Sequence, residues 1–147
     1  MKTYGLSLLS LLILAFVMTP ACGSPQPKVK TNCGPVASSN NTGGLQSVSL
    51  CPTVADAQQY PDGQVPFLAI GVYTTQPSPA LIPSGVVWGA CQNQQLTNDV
   101  TVTNGTAKCA AGASGTYTVW ATGSPICNVI GPCGACGPTG TAQLTCP

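Results

Sequence analysis

The sequence predicts an all-β fold, an antiparallel sandwich of about seven strands cross-linked by disulfides, and three observations carry that prediction. From Leu45 onward the chain breaks into short stretches rich in Val, Thr and aromatic residues, separated by Pro, Gly and Asn. No stretch repeats its apolar residues at helical spacing. One stretch, Thr116-Tyr117-Thr118-Val119-Trp120-Ala121-Thr122, alternates cleanly, with Tyr117, Val119 and Ala121 on one face of a strand and the threonines and Trp120 on the other. Eight cysteines follow Cys22, an even number of the kind that forms disulfides in an exported chain.

The first element is a targeting segment. A 13-residue, largely apolar run over residues 6–18 follows Lys2 and ends in Thr19, Pro20, Ala21 and Cys22. A basic start, an apolar run of this length and small residues before a cut mark a secretory signal, and a cysteine just after the cut adds lipid attachment. A membrane span needs roughly 20 apolar residues, so this run is short for one. Ala21-Cys22 with the small Gly23-Ser24 resembles a bacterial lipoprotein signal, which implies removal of residues 1–21 and acylation of the Cys22 sulfur. Thr19 and Pro20 stand where that motif carries Leu and a small residue, so a plain secreted chain and a retained anchor stay open as alternatives. All three place the remainder outside the cytoplasm.

Residues 22–44 contain Ser, Pro, Gln, Lys, Asn and Gly without apolar periodicity and predict a flexible tether. The folded part is then 45–147, one domain by size. Its candidate strands are 46–51, 64–72, 85–89, 100–103, 106–110, 116–121 and 141–146. A Gly-, Pro- and Cys-rich insert at 124–140 interrupts the last two. Seven short strands in about 100 residues suit an immunoglobulin-like sandwich. Val119 then stands where that fold has a cysteine on its sixth strand, with Tyr117 two before it, and Trp88 in Val86-Val87-Trp88-Gly89 matches the core tryptophan of its third strand. The expectation is one core holding Trp88, Tyr117 and Val119.

In order, Leu45-Gln46-Ser47-Val48-Ser49-Leu50, Gly63-Gln64-Val65-Pro66-Phe67-Leu68-Ala69, Val86-Val87-Trp88, Val100-Thr101-Val102-Thr103-Asn104-Gly105 and Ala113-Ser114-Gly115-Thr116-Tyr117-Thr118-Val119-Trp120-Ala121 resemble the bacterial Ig-like group 2 family. The likeness covers residues 45–122, with a last strand from 141–146. The cysteine density and the insert depart from the family pattern. What the resemblance implies is a non-catalytic surface module of the kind found in adhesins, envelope proteins and spacers beside enzymes. It implies no particular ligand.

Composition narrows the chemistry independently. After residue 22 the only charges are Lys28, Lys30 and Lys108 against Asp56, Asp62 and Asp99, and the chain has no Arg, Glu or His. Nothing can neutralise a row of phosphates, so nucleic acid is excluded as a partner. A His-based triad, a His-ligated metal and an Arg clamp are equally out of reach. The three aspartates sit in turn-like contexts, as in Pro61-Asp62-Gly63, and read as turn formers. Calcium at Asp62 or Asp99 would lack the dense carboxylate spacing of a calcium loop. The expected protein is therefore not an enzyme and carries no cofactor. Its expected partners are the membrane, through the lipid, and an unidentified surface protein or glycan. The alternative is a small carbohydrate- or peptidoglycan-binding module, for which Trp120, Tyr73 and Tyr60 are the candidate stacking platforms. Trp120 faces away from the predicted core, and a cover of insert or tether is the plainer reading of that position.

The disulfide candidates are Cys33, Cys51, Cys91, Cys109, Cys127, Cys133, Cys136 and Cys146, whose connectivity spacing does not settle. The expected single bridge is Cys91–Cys109, with Cys127 paired locally to Cys133 or Cys136 because the insert has little apolar area of its own. A zinc site at Cys127, Cys133, Cys136 and Cys146 is the rival, built on one Cys-Gly-Ala-Cys knuckle without a second close pair. A thioredoxin-like role for Cys133 and Cys136 fails on the glycines and prolines around them, which open no helix.

Overall fold

A computed structural model describes residues 33–38, 44–123 and 130–147. The signal segment, Cys22 and Cys127 lie outside the described residues. Eleven strands are present among these: β1 (Leu45–Cys51), β2 (Val54–Asp56), β3 (Gln64–Pro66), β4 (Leu68–Tyr73), β5 (Ala80–Leu81), β6 (Val87–Gln92), β7 (Gln95–Leu96), β8 (Val100–Thr103), β9 (Thr106–Cys109), β10 (Gly115–Thr122) and β11 (Thr139–Cys146). The protein is all-β, with three short 3-10 turns and no α-helix among the described residues. The strands form three sheets, ordered β1-β4-β5, β3-β9-β8 and β2-β11-β10-β6-β7.

β10 is the centre of the five-stranded sheet, and its period-two pattern explains why. Its inward residues Tyr117, Val119 and Ala121 are buried, and they stand opposite Leu144, Ala142 and Gly140 of β11. On its other side Val119 faces Ala90 and Ala121 faces Trp88 of β6. The β8–β9 hairpin turns at Asn104-Gly105, both at positive φ (47° and 80°), the conformation of a two-residue turn that suits the twist of paired strands. β6 and β7 turn the same way through Asn93 and Gln94 (φ 51° and 64°).

The stretch predicted as one strand over 64–72 is two. β3 pairs with β9 and β4 pairs with β1. Pro66 has no N–H to extend the first ladder, and the Phe67 N–H instead donates to Gly105 O at 2.7 Å. Burial nonetheless alternates without a slip through the break, with Val65, Phe67, Ala69, Gly71 and Tyr73 all turned inward. β2, β5 and β7, of two or three residues each, were not among the predicted strands.

All three sheets share one core. Leu50, Val65, Phe67, Val119, Tyr117 and Leu144 lie in it. Trp88 packs against this core from its edge and stays half-buried. It points inward with Ala90, but at an end of the core where its ring meets Gly105 of the β8–β9 turn and solvent reaches the remainder. Gly140 allows the layers to close, since a Cβ there would lie 2.9 Å from the Val48 backbone.

A second small cluster occupies the opposite face of the five-stranded sheet. Trp120 lies over Gly89, where a Cβ would come within 2.3 Å of the indole. Cys91, Cys133 and Ala135 bury Trp120 to 9 % exposure. The described part of the insert, folded back by Gly131 N–H donating to Ala135 O at 2.7 Å, is therefore the cover of Trp120.

The disulfides among the described residues are Cys33–Cys51, Cys91–Cys133 and Cys109–Cys146. The expected Cys91–Cys109 bridge is thus corrected. Cys91 leaves the outer face of β6 toward the insert, while Cys109 joins the buried, inward Cys146 of β11. Cys133 is taken by Cys91, so Cys127 does not pair with it. Cys136 is also disulfide-bonded, to a residue outside those described. Three members of the proposed zinc set are thereby committed as disulfides. The segment expected as a tether is also tied down over 33–38, by Cys33–Cys51 and by Leu81 N–H donating to Ala37 O at 2.9 Å. The disulfides indicate an oxidising, exported environment.

Candidate functional site

A cleft of about 470 Å³ opens between the β2–β3 connection and the β9–β10 loop, lined among others by Gln58, Tyr60 and Asp62 on one side and Ala110, Ala111 and Ala113 on the other. Its first wall is built by local chemistry. Asp56 ends β2 and its carboxylate accepts from Gln58 N–H at 2.9 Å, capping a single 3-10 turn over Ala57–Gln59. Tyr60 N–H returns to Ala57 O at 3.2 Å and Gly63 N–H to Tyr60 O at 3.1 Å, so two tight turns follow in succession. Within the second Asp62 adopts the left-handed region (φ 55°), which Asp tolerates better than most residues.

The second wall is anchored at both ends. Ala110 N–H donates to Asp99 O at 2.7 Å, Ala113 N–H donates to Ala110 O at 3.1 Å, and Cys109 is bonded to Cys146. Small side chains there leave the cleft open. Gln58 and Asp62 are exposed at its rim, while Tyr60 is half-buried and rests against the core. Among the described lining residues there is no lysine, and the only side-chain charge is the Asp62 carboxylate.

The other predicted positions are dispersed. Asp99 accepts from the Tyr117 hydroxyl at 3.4 Å, and Asp56 is the turn cap described above. No group of three His, Cys, Asp or Glu stands together among the described residues. Of the three candidate stacking platforms, Trp120 and Tyr73 are buried, while Tyr60 lines the cleft. The Tyr73 hydroxyl and Trp120 Nε1 are buried without a hydrogen-bond partner among the described residues. A shallower groove of about 310 Å³ lies beside Trp88, walled by Phe67, Ile82 and Asn104. Gln58 and the 110–113 wall carried no functional signal in the sequence, since an Ala- and Gly-rich loop matters here only for the space it leaves.

Burial pushes the phenols of Tyr60 and Tyr73 above their ordinary 10.0, because the charged form is poorly solvated. Both keep their proton in the folded chain at a pH where the unfolded chain has lost it. Their contribution to stability is therefore full below pH 10 and disappears as pH rises through the folded values. An ultraviolet titration of tyrosinate should show absorbance that develops above pH 10 and is reduced in both Tyr60→Phe and Tyr73→Phe. An unchanged late phase in both variants would contradict it.

No protein-family model matches this chain, and no curated protein sequence matches it. No helix among the described residues is long and apolar enough to cross a membrane.

Proposed function

We propose that this is a non-catalytic cell-envelope lipoprotein whose immunoglobulin-like domain serves adhesion, binding or a structural role at the surface. The observation that carries the reading is the unbroken inward alternation from Val65 to Tyr73 across the β3–β4 break. It supports treating β3 and β4 as one bent strand. Two three-stranded sheets then become a single layer of β1, the bent strand, β5 beside its β4 half, and β9 and β8 beside its β3 half, facing the five-stranded sheet over one core, which is the layer arrangement of such a sandwich. The disulfides favour an exported location. The resemblance to the bacterial Ig-like group 2 family points the same way, and the order of apolar run, Ala21 and Cys22 supports a lipid anchor. Sparse charge and the dispersal of Asp56, Asp62 and Asp99 favour recognition over catalysis.

Two measurements test this. Cys22→Ala should release the protein from the membrane fraction and remove the acyl mass, and a variant that stays membrane-bound at unchanged mass refutes the anchor. Crosslinking in native envelopes should capture a surface protein or glycan, and turnover of a captured molecule would refute the non-catalytic reading.

A further inference from the structure

We propose that the cleft between residues 57–63 and 110–113 binds one ring of a neutral sugar, stacked on Tyr60 and held through its hydroxyls by Gln58 and Asp62. This rests on the surface-module reading and names a ligand class for it. A cleft of about 470 Å³ is within the size range of small-ligand sites, roughly 300–1,000 Å³. Its chemistry is mixed in the way a pyranose requires. One face of such a ring presents C–H groups, which match the face of a phenol. Its edge presents hydroxyls, which donate to a carboxylate and both donate to and accept from an amide.

Charge decides against other classes. With Asp62 the only charged side chain among the described lining residues, a phosphate or carboxylate ligand would meet repulsion and no counter-charge from them. One side-chain carboxylate among the described lining residues also favours binding over cleavage, because glycoside hydrolysis generally uses two, placed on either side of the bond. The site therefore holds a glycan without cutting it. The backbone of the site is set before a ligand arrives, with the Gln58 N–H held by the Asp56 cap, Asp62 at positive φ, and the opposite wall pinned by Cys109–Cys146. Such preorganisation lowers the cost of ordering on binding. Tyr60 keeps its proton at neutral pH and so remains a donor as well as a platform.

The test is an amide-resolved NMR titration of the full chain, disulfides intact, with chitotriose, cellotriose and maltotriose to about 10 mM, the range of weak single-site binding. At least one should cause saturable shifts confined to residues 58–63 and 110–113. Tyr60→Ala should weaken binding at least tenfold, and the exposed-site variants Gln58→Ala and Asp62→Asn should weaken it with spectra otherwise unchanged. The proposal is overturned if none of the three sugars gives saturable shifts, if the shifts map to the Trp88 groove, or if tetramethylammonium binds the cleft and the sugars do not. New reducing-end signals with the shifts would uphold the binding and refute the non-catalytic reading. Absent shifts together with a protein captured from envelopes would do the reverse.

Discussion

Replacing Cys91 and Cys133 together by Ala is expected to lower stability by about 4 kcal/mol in non-reducing denaturation. The bridge closes a loop between residues 42 apart, and freeing a loop of that length returns roughly 4 kcal/mol of chain entropy to the unfolded state. The native state changes too. Cys133 and Ala135 cover Trp120 against Gly89, and the described cover holds little other apolar area. In a Trp88→Phe background, which isolates the other indole, Trp120 emission should move to longer wavelength as water reaches it. The core shared by the three sheets lies on the opposite face of the five-stranded sheet and should survive. A loss under about 1 kcal/mol with unchanged emission would mean that packing alone holds the cover down.

Leu144→Ala is expected to cost about 2–5 kcal/mol, the range for truncating a buried aliphatic side chain where the cavity cannot collapse. Leu144 is 0 % exposed, faces Tyr117 on β10 and Ala55 on β2, and sits where the five-stranded sheet meets the shared core. Leu96 provides the control. It is 70 % exposed on β7, and Leu96→Ala should stay within about 0.5 kcal/mol of wild type. Equal costs at the two positions, measured by urea unfolding with an unchanged m-value, would contradict the placement of the core.

Where local signals were strong, the strands were legible from the residues alone. The alternation of Tyr117, Val119 and Ala121 located β10, and Asn104-Gly105 located the β8–β9 turn, because Gly at positive φ is a chemical signature of that turn. The β6–β7 turn uses Asn93-Gln94 at similar angles, and Gln announces no such conformation. β2 offers only Ala55 as an inward residue. Too short to carry a period, it exists because β11 offers it a parallel partner. The candidate cleft was legible only at Tyr60 and Asp62, as an aromatic residue beside a turn.

By itself the sequence determined that the described chain is all-β, that cysteine pairing belongs to its stability, and that Arg, Glu and His chemistry is closed to it. These follow from side-chain period and composition, which are local or additive properties. Tertiary structure decided the rest. It split 64–72 between two sheets at Pro66, sent Cys91 to Cys133 rather than Cys109, held Trp88 at the edge of the core, and set the 110–113 wall opposite Tyr60. Each of these depends on which distant segments come within a few ångströms of one another. A disulfide forms where two Cβ atoms meet across the fold, and a cleft forms where two loops fail to. Neither distance is encoded in the spacing of residues along the chain.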